Sequence, residues 1–356
     1  MRKAPIALLA LALLSSLSCG KRTPPQAPKE RVNQRVELTG FQRGDQIVLS
    51  WKMPARNAEK SSVLNIDRID IYRLAEPASS SLTMSEEEFA SQSTIIATLS
   101  IKSTDFGLQT LSYPDKLEFA GQPVRLRYSM RFANASGQKA AFSNFFLIEP
   151  ASKTAAGPTS LSANYSQDSI DLKWLGARVN IDGSSPANLL GYNVYRSTSE
   201  KDPAKLLNKT PVAENTFRDE FFDFGKEYFY FVRAVSIGTD ATPIESRESN
   251  ILKLKPVDTF PPSPPSAITL AVGQNVISLF FAVNPEKDIA GYRIYRSTNP
   301  DLAKKDWTLL TPEILSANTL QDTKVESGKT YYYYLTATDK AGNVSEPSEI
   351  VSETVK

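Results

Sequence analysis

Three stretches of the chain alternate apolar and polar residues and end on a large aromatic. They are Ile47-Val48-Leu49-Ser50-Trp51, Ile170-Asp171-Leu172-Lys173-Trp174 and Val276-Ile277-Ser278-Leu279-Phe280. A second alternating run follows each and closes on Tyr-Arg: Tyr72-Arg73, Tyr195-Arg196 and Tyr295-Arg296. Period two predicts strands whose successive side chains face opposite sides of a sheet. Gly44-Asp45, Gln167-Asp168 and Gly273-Gln274-Asn275 sit a few residues before each landmark, where a hairpin turn would join the first two strands. A repeat of roughly a hundred residues is too long for a solenoid and implies a tandem of whole domains. One segment departs from the β pattern. Ser85-Glu86-Glu87-Glu88-Phe89 has the Ser-x-x-Glu shape of a helix start and predicts a short helix over Ser85 to Ser91.

The punctuation divides the chain further. Residues 1–18 combine basic Arg2 and Lys3 with an apolar run, Ala4 to Leu17, that is short for a membrane span and reads as an export signal. Residues 19–30 form a tether rich in Lys, Pro and Thr. Domains are expected at 31–150, 158–256 and 262–356, separated by small residues at Ala151 to Gly157 and by the stiff Pro261-Pro262-Ser263-Pro264-Pro265. The landmark-to-Tyr-Arg interval is 21 residues in the first two domains (51 to 72, 174 to 195) and 15 in the third (280 to 295). That longer connection, which includes Asn180-Ile181-Asp182-Gly183, is a binding-loop candidate or a neutral insertion.

The one cysteine, Cys19, stands where the export signal ends. Its placement resembles the lipobox of bacterial lipoproteins, which implies acylation of Cys19 and a membrane anchor of more than one acyl chain. Ser16 and Ser18 also satisfy ordinary signal cleavage, which would leave Cys19 as an exposed thiol. Gly20 in place of an Asp leaves sorting to the outer membrane open.

The residues along the sheets resemble the fibronectin type III family. Trp51, Trp174 and Phe280 match its second-strand aromatic. Gly191-Tyr192-Asn193-Val194 and Gly291-Tyr292-Arg293-Ile294 match its third strand. Tyr228, Val232, Ala234 and Tyr331, Leu335, Ala337 match its sixth. Asn215-Thr216-Phe217-Arg218-Asp219 aligns with Asn318-Thr319-Leu320-Gln321-Asp322, and Asp339 to Ser345 resembles a loop common in bacterial copies. The resemblance implies an all-β chain of three tandem immunoglobulin-like β-sandwiches, with Trp51, Trp174, Phe280, Tyr228 and Tyr331 as core landmarks. In the first domain Leu126 takes the tyrosine-corner position, and the helix is an insertion.

If the sixth-strand set is core, alternation turns Phe229, Phe231, Tyr332 and Tyr334 outward, joined by Tyr195 and Tyr295 from the neighbouring strand. Those six are the candidate partner-binding surface, or a stacking platform for sugars. The competing reading is cross-strand Tyr and Phe pairing that stiffens the sheet, or packing against the adjacent domain. At the comparable sites the first domain has Ser129 and Arg131.

Composition narrows the chemistry. The chain has no histidine, which removes the commonest general base and zinc ligand. Without Arg2 and Lys3 its 41 basic residues fall to 39, equal to its acidic residues, and no basic stripe suits a nucleic acid. Asp67 with Asp70 and Asp219 with Glu220 are paired carboxylates on strand or turn patterns. Asp182-Gly183 and Asp339 to Asn343 carry oxygen ligands without the spacing of a dedicated calcium loop and read as turns. Arg43-Gly44-Asp45 spells an integrin-binding tripeptide but reads as a hairpin turn. No cofactor or metal is expected. The expectation is a non-catalytic envelope lipoprotein, exported and anchored through Cys19, that binds an envelope protein or acts as a spacer. The alternative is a glycan-binding surface protein; an enzyme of unrecognised type is the remote third reading.

Overall fold

A computed structural model describes residues 36–62, 64–118, 123–200, 203–238 and 241–356. The export signal, Cys19 and the tether lie outside the described residues. Strands dominate. The first sandwich contains β1 (Thr39–Arg43), β2 (Gln46–Lys52), β3 (Arg68–Pro77), α1 (Glu86–Gln92), β4 (Thr94–Ser100), β5 (Thr110–Lys116), β6 (Val124–Ala133) and β7 (Phe146–Ile148). The second has β8 (Thr159–Tyr165), β9 (Ile170–Leu175), β10 (Gly191–Ser197), β11 (Lys205–Leu206), β12 (Thr216–Asp219), β13 (Tyr228–Ile237), β14 (Pro243–Glu245) and β15 (Leu252–Leu254). The third has β16 (Thr269–Gly273), β17 (Val276–Phe280), β18 (Ile289–Ser297), β19 (Thr308–Leu309), β20 (Thr319–Asp322), β21 (Thr330–Asp339) and β22 (Val351–Thr354).

The third sandwich shows the plan most simply. A three-stranded sheet, β16-β17-β20, faces a four-stranded sheet, β19-β18-β21-β22. Ile277 and Leu279 from one sheet meet Ile294, Tyr331, Tyr333 and Leu335 from the other in one buried cluster. The first sandwich repeats the plan with β1-β2-β5 and β4-β3-β6-β7, and the second has the matching three-stranded β12-β9-β8. The all-β tandem of immunoglobulin-like sandwiches is therefore the fold. Gly291 marks one tight point in it: at φ +154°, an added Cβ would lie 2.4 Å from Ile314 Cγ2 and 2.5 Å from the Leu315 carbonyl oxygen.

By chain contacts the molecule comprises two compact units. One holds the described residues up to Pro158 with Gly176–Tyr192 and Arg233–Glu248; the other holds Thr159–Leu175, Asn193–Val232 and Ser249–Lys356. In the first unit β14 pairs with β1 in parallel, Arg43 opposite Glu245, so β14-β1-β2-β5 is one continuous ladder. The small-residue linker is pinned in the same unit. Ile181 N–H donates to the Thr154 carbonyl, Ala156 N–H to that of Val179, and the Asn188 amide to those of Lys153 and Ile237. The longer second-domain connection thus grips the linker, and Thr154 and Ala155 are buried beneath it.

One core landmark is displaced. Trp51 and Trp174 are buried as expected, but Phe280 is 47% exposed while Phe281 is 4% exposed. Alternation explains the slip. The inward set in the third sandwich is Ile277, Leu279 and Phe281, in step with Ile47, Leu49, Trp51 and with Ile170, Leu172, Trp174. In the Phe280-Phe281 doublet the second ring therefore faces the core, where it meets Tyr292 edge-on at 4.7 Å. The interval to Tyr295 becomes 14 residues (281 to 295).

The helix forms where the Ser-x-x-Glu signal placed it, one residue longer at its end. The Ser85 hydroxyl accepts the Glu88 N–H at 3.1 Å, which satisfies a first-turn donor. Its buried Phe89 packs with Tyr72 and Phe142 over the outer face of the first domain's four-stranded sheet.

Candidate functional site

Each sandwich carries the same buried triad, and the Tyr-Arg dipeptide is one of its corners. Arg73 Nη1 donates to both carboxylate oxygens of Asp115 (3.0 and 2.9 Å), and the Tyr128 hydroxyl donates to Asp115 Oδ2 at 2.6 Å. Arg196, Asp219 and Tyr230 repeat this at 2.7 and 2.8 Å. In the third, Arg296 Nη1 lies 3.0 and 2.8 Å from the Asp322 oxygens, with Tyr333 at 3.0 Å. Register explains the recurrence. Asp115, Asp219 and Asp322 stand opposite Ile47, Ile170 and Ile277, so each enters from the three-stranded sheet at the same depth. Arg73 faces Tyr128 and Arg296 faces Tyr333 across paired strands. Burial, then the adjacent carboxylate, pushes all three phenols well above the ordinary tyrosine range.

Those phenols make the fold sensitive to alkali. In the unfolded chain a tyrosine ionises near about pH 10. The folded pKa is higher, so the contribution to stability is complete below that pH and falls as pH rises beyond it. Ionisation of the buried phenols, read by tyrosinate absorbance, should therefore appear only as the β-sheet circular dichroism is lost. Complete ionisation of all 14 tyrosines in a natively folded chain would contradict this.

The tyrosine corners also formed. The Tyr228 hydroxyl accepts the Asp223 N–H at 2.8 Å and the Tyr331 hydroxyl accepts that of Glu326 at 3.0 Å, while Leu126 fills the position in the first domain.

The six outward aromatics lie on the outer strand faces, but they do not form an open platform. Phe229 and Tyr334 are buried, each 5% exposed, which corrects their assignment as exposed contact residues. Lys253 lies over the Phe229 ring. Tyr334 stacks on Tyr295 at 4.6 Å, meets Trp307 edge-on at 5.0 Å and donates its hydroxyl to the Lys304 carbonyl. Tyr195 stacks on Phe231 at 4.9 Å. Tyr195, Phe231, Tyr295 and Tyr332 are half-buried. Cross-strand pairing accounts for the Tyr295–Tyr334 stack, since the two residues are register partners. In the first domain Ser129 is fully buried, and Arg131 lies 4.4 Å over the Phe142 ring. There the insertion covers the face.

The other candidates are absorbed by structure. Gly44 and Asp45 form the turn between β1 and β2; the Gly44 N–H donates to the Glu245 carbonyl at 2.8 Å, and Asp45 lies 3.6 Å from Arg247. Asp70 is held by Arg68 and Lys139, and Asp219 belongs to its triad, so neither is a free acid–base partner. The Asp182 carboxylate accepts the Ser184 N–H and hydroxyl, closing a turn. Sequence reasoning missed the triads, although the aligned Asn215-to-Asp219 and Asn318-to-Asp322 segments held two of the three aspartates.

The class these features define is a tandem of β-sandwiches, each braced by an internal Arg–Asp–Tyr triad. No family model matches the chain. Exoglucanase B of Cellulomonas fimi is 26% identical over 239 residues, which is 64% of this chain and 20% of that protein. The chain thus spans about a fifth of the length of the curated relative it matches. Among solved structures, the crystal structure of chicken CNTN1 FN1–FN3 domains is similar at 13% identity and a TM-score of 0.27, covering 90% of this chain and 99% of that one.

Proposed function

We propose that this chain is an exported, membrane-anchored string of fibronectin type III-like sandwiches that works by binding or spacing in a bacterial envelope, without catalysis of its own. The observation that carries the reading is the joint inside the first unit. Ladder pairing of Arg43 with Glu245 and the pinned linker at 153–156 connect successive elements through backbone hydrogen bonds, which suits a spacer. The lipobox-like Cys19 supplies the tether in this reading. To test it, wild type and Cys19→Ala are expressed in a Gram-negative host, labelled with palmitate and fractionated, then crosslinked gently and captured. Label and membrane association should be lost in Cys19→Ala, together with the captured envelope partner. Equal membrane association and an equal set of captured proteins would remove the proposal.

A second reading, glycan recognition, draws on the similarity to an exoglucanase and on the half-buried Tyr195–Phe231 stack. Phe231→Ala and Tyr332→Ala should then weaken sedimentation with insoluble glucan. Tyr334→Ala is unsuitable for this purpose because it opens a buried cluster.

A further inference from the structure

Six acidic side chains are buried among the described residues: Asp70, Glu76, Asp115, Asp219, Asp322 and Asp339. Five have an Arg or Lys partner. Asp339, 3% exposed, has none. It lies instead with two more carboxylates: ligand oxygens of Asp258, Asp288 and Asp339 are all within 4.8 Å of one another. A buried carboxylate without a counter-charge is costly, and two further carboxylates increase the cost.

The hydrogen bonds present do not supply the missing charge. Asn343 donates its N–H and side-chain amide to Asp339, both at 2.8 Å, and reaches Asp258 Oδ1 at 3.3 Å. Gln167 Nε2 donates to Asp288 Oδ2 at 3.1 Å. Three acceptors in the same place remain fully buried with no hydrogen-bond partner: Asp288 Oδ1, Glu286 Oε2 and, outside the carboxylate set, the amide oxygen of Gln167. They border a cleft of about 550 Å³ in the second unit, lined also by Asp258, Asp168, Glu220 and Asp223 and by the ammonium-bearing Lys287 and Lys340, so carboxylates outnumber cations in it; Asp339 lies behind this lining.

We propose that the carboxylate cluster at the inner edge of this cleft is a divalent-cation site of calcium type, with Asp258, Asp288 and Asp339 as carboxylate ligands and the Gln167 amide oxygen as a fourth. The donor set is all oxygen, with no nitrogen or sulfur ligand, which suits a hard cation. Calcium takes six to eight oxygens in flexible geometry, so water would complete the shell. The ligands come from the β8–β9 turn, the segment before the proline run, the β17–β18 loop and the end of β21. An ion there would tie the turn of the second sandwich to the loops of the third.

The test uses the full chain, stripped with chelator and titrated calorimetrically with CaCl2. One equivalent should bind with a Kd of about 10⁻⁴ to 10⁻³ M, as in extracellular calcium modules. Calcium should also raise the melting temperature, and MgCl2 should bind more weakly. Asp258→Asn and Asp288→Asn, which lie on partly exposed residues, should fold normally by circular dichroism yet weaken binding at least about tenfold. Asp182→Asn, in a separate turn, should bind as wild type. The proposal is overturned if wild type shows neither heat nor thermal shift up to about 10 mM CaCl2. It is overturned equally if both variants keep wild-type affinity, or if MgCl2 binds as tightly as CaCl2.

Discussion

Phe281→Ala is expected to lower the stability of the third sandwich by about 3–5 kcal/mol, the usual cost of deleting a fully buried aromatic ring. Phe280→Ala, one residue earlier, should change it by less than about 0.5 kcal/mol, as exposed substitutions do. The contrast rests on register. Phe281 lies between the sheets against Tyr292, whereas Phe280 points to solvent opposite Thr269 and Thr319. Hydrogen exchange of the β21 amides is the suitable measure, because it reports on this sandwich while the others remain folded. Equal effects of the two substitutions, or a larger one from Phe280, would mean that the strand is paired one residue out of step.

Asp322→Ala should cost the same sandwich about 3–5 kcal/mol for a different reason. Removing the carboxylate leaves the largely buried Arg296 guanidinium without its charge partner and the Tyr333 hydroxyl without its acceptor. The lost attraction matters less than the stranded charge. A double variant, Asp322→Ala with Arg296→Met, should therefore recover part of the loss even though it restores no polar contact. Loss of exchange protection in β21 by the single variant and partial return in the double is the expected pattern. If the single variant is as stable as wild type, the triad is not a brace. Because Asp115 and Asp219 occupy the same register, their substitution should act in the same direction.

Much of this architecture could be read before any tertiary information. The period-two runs, the turns at Gly44-Asp45 and Gly273 to Asn275, and the Ser85 cap are local preferences, set by side-chain direction and by which residues tolerate a turn. The Tyr-Arg repeat marked one corner of the triad in all three domains. Its aspartate partner was less visible, since an Asp at a strand end reads equally well as a turn residue. The Phe280-Phe281 doublet misled because periodicity alone states that one ring is buried without stating which. Anchoring the count on Leu279, the counterpart of Leu49 and Leu172, resolves it.

The outward aromatics illustrate the same boundary. Strand alternation correctly turns Tyr334 away from the sandwich interior, yet Trp307 and Lys304 then cover it. No local rule brings those residues together. The carboxylate cluster is more extreme still, since Gln167 and Asp339 are separated by most of two domains in sequence. Which residues alternate, where the chain turns and how many sandwiches it builds follow from local pattern alone, because those depend on backbone sterics and on neighbours a few residues away. Which outward side chains meet water, which acids lie beside a cation, and that Asp339 lies beside none among the described residues emerged with the folded chain, because these depend on distances between strands that no spacing along the chain encodes.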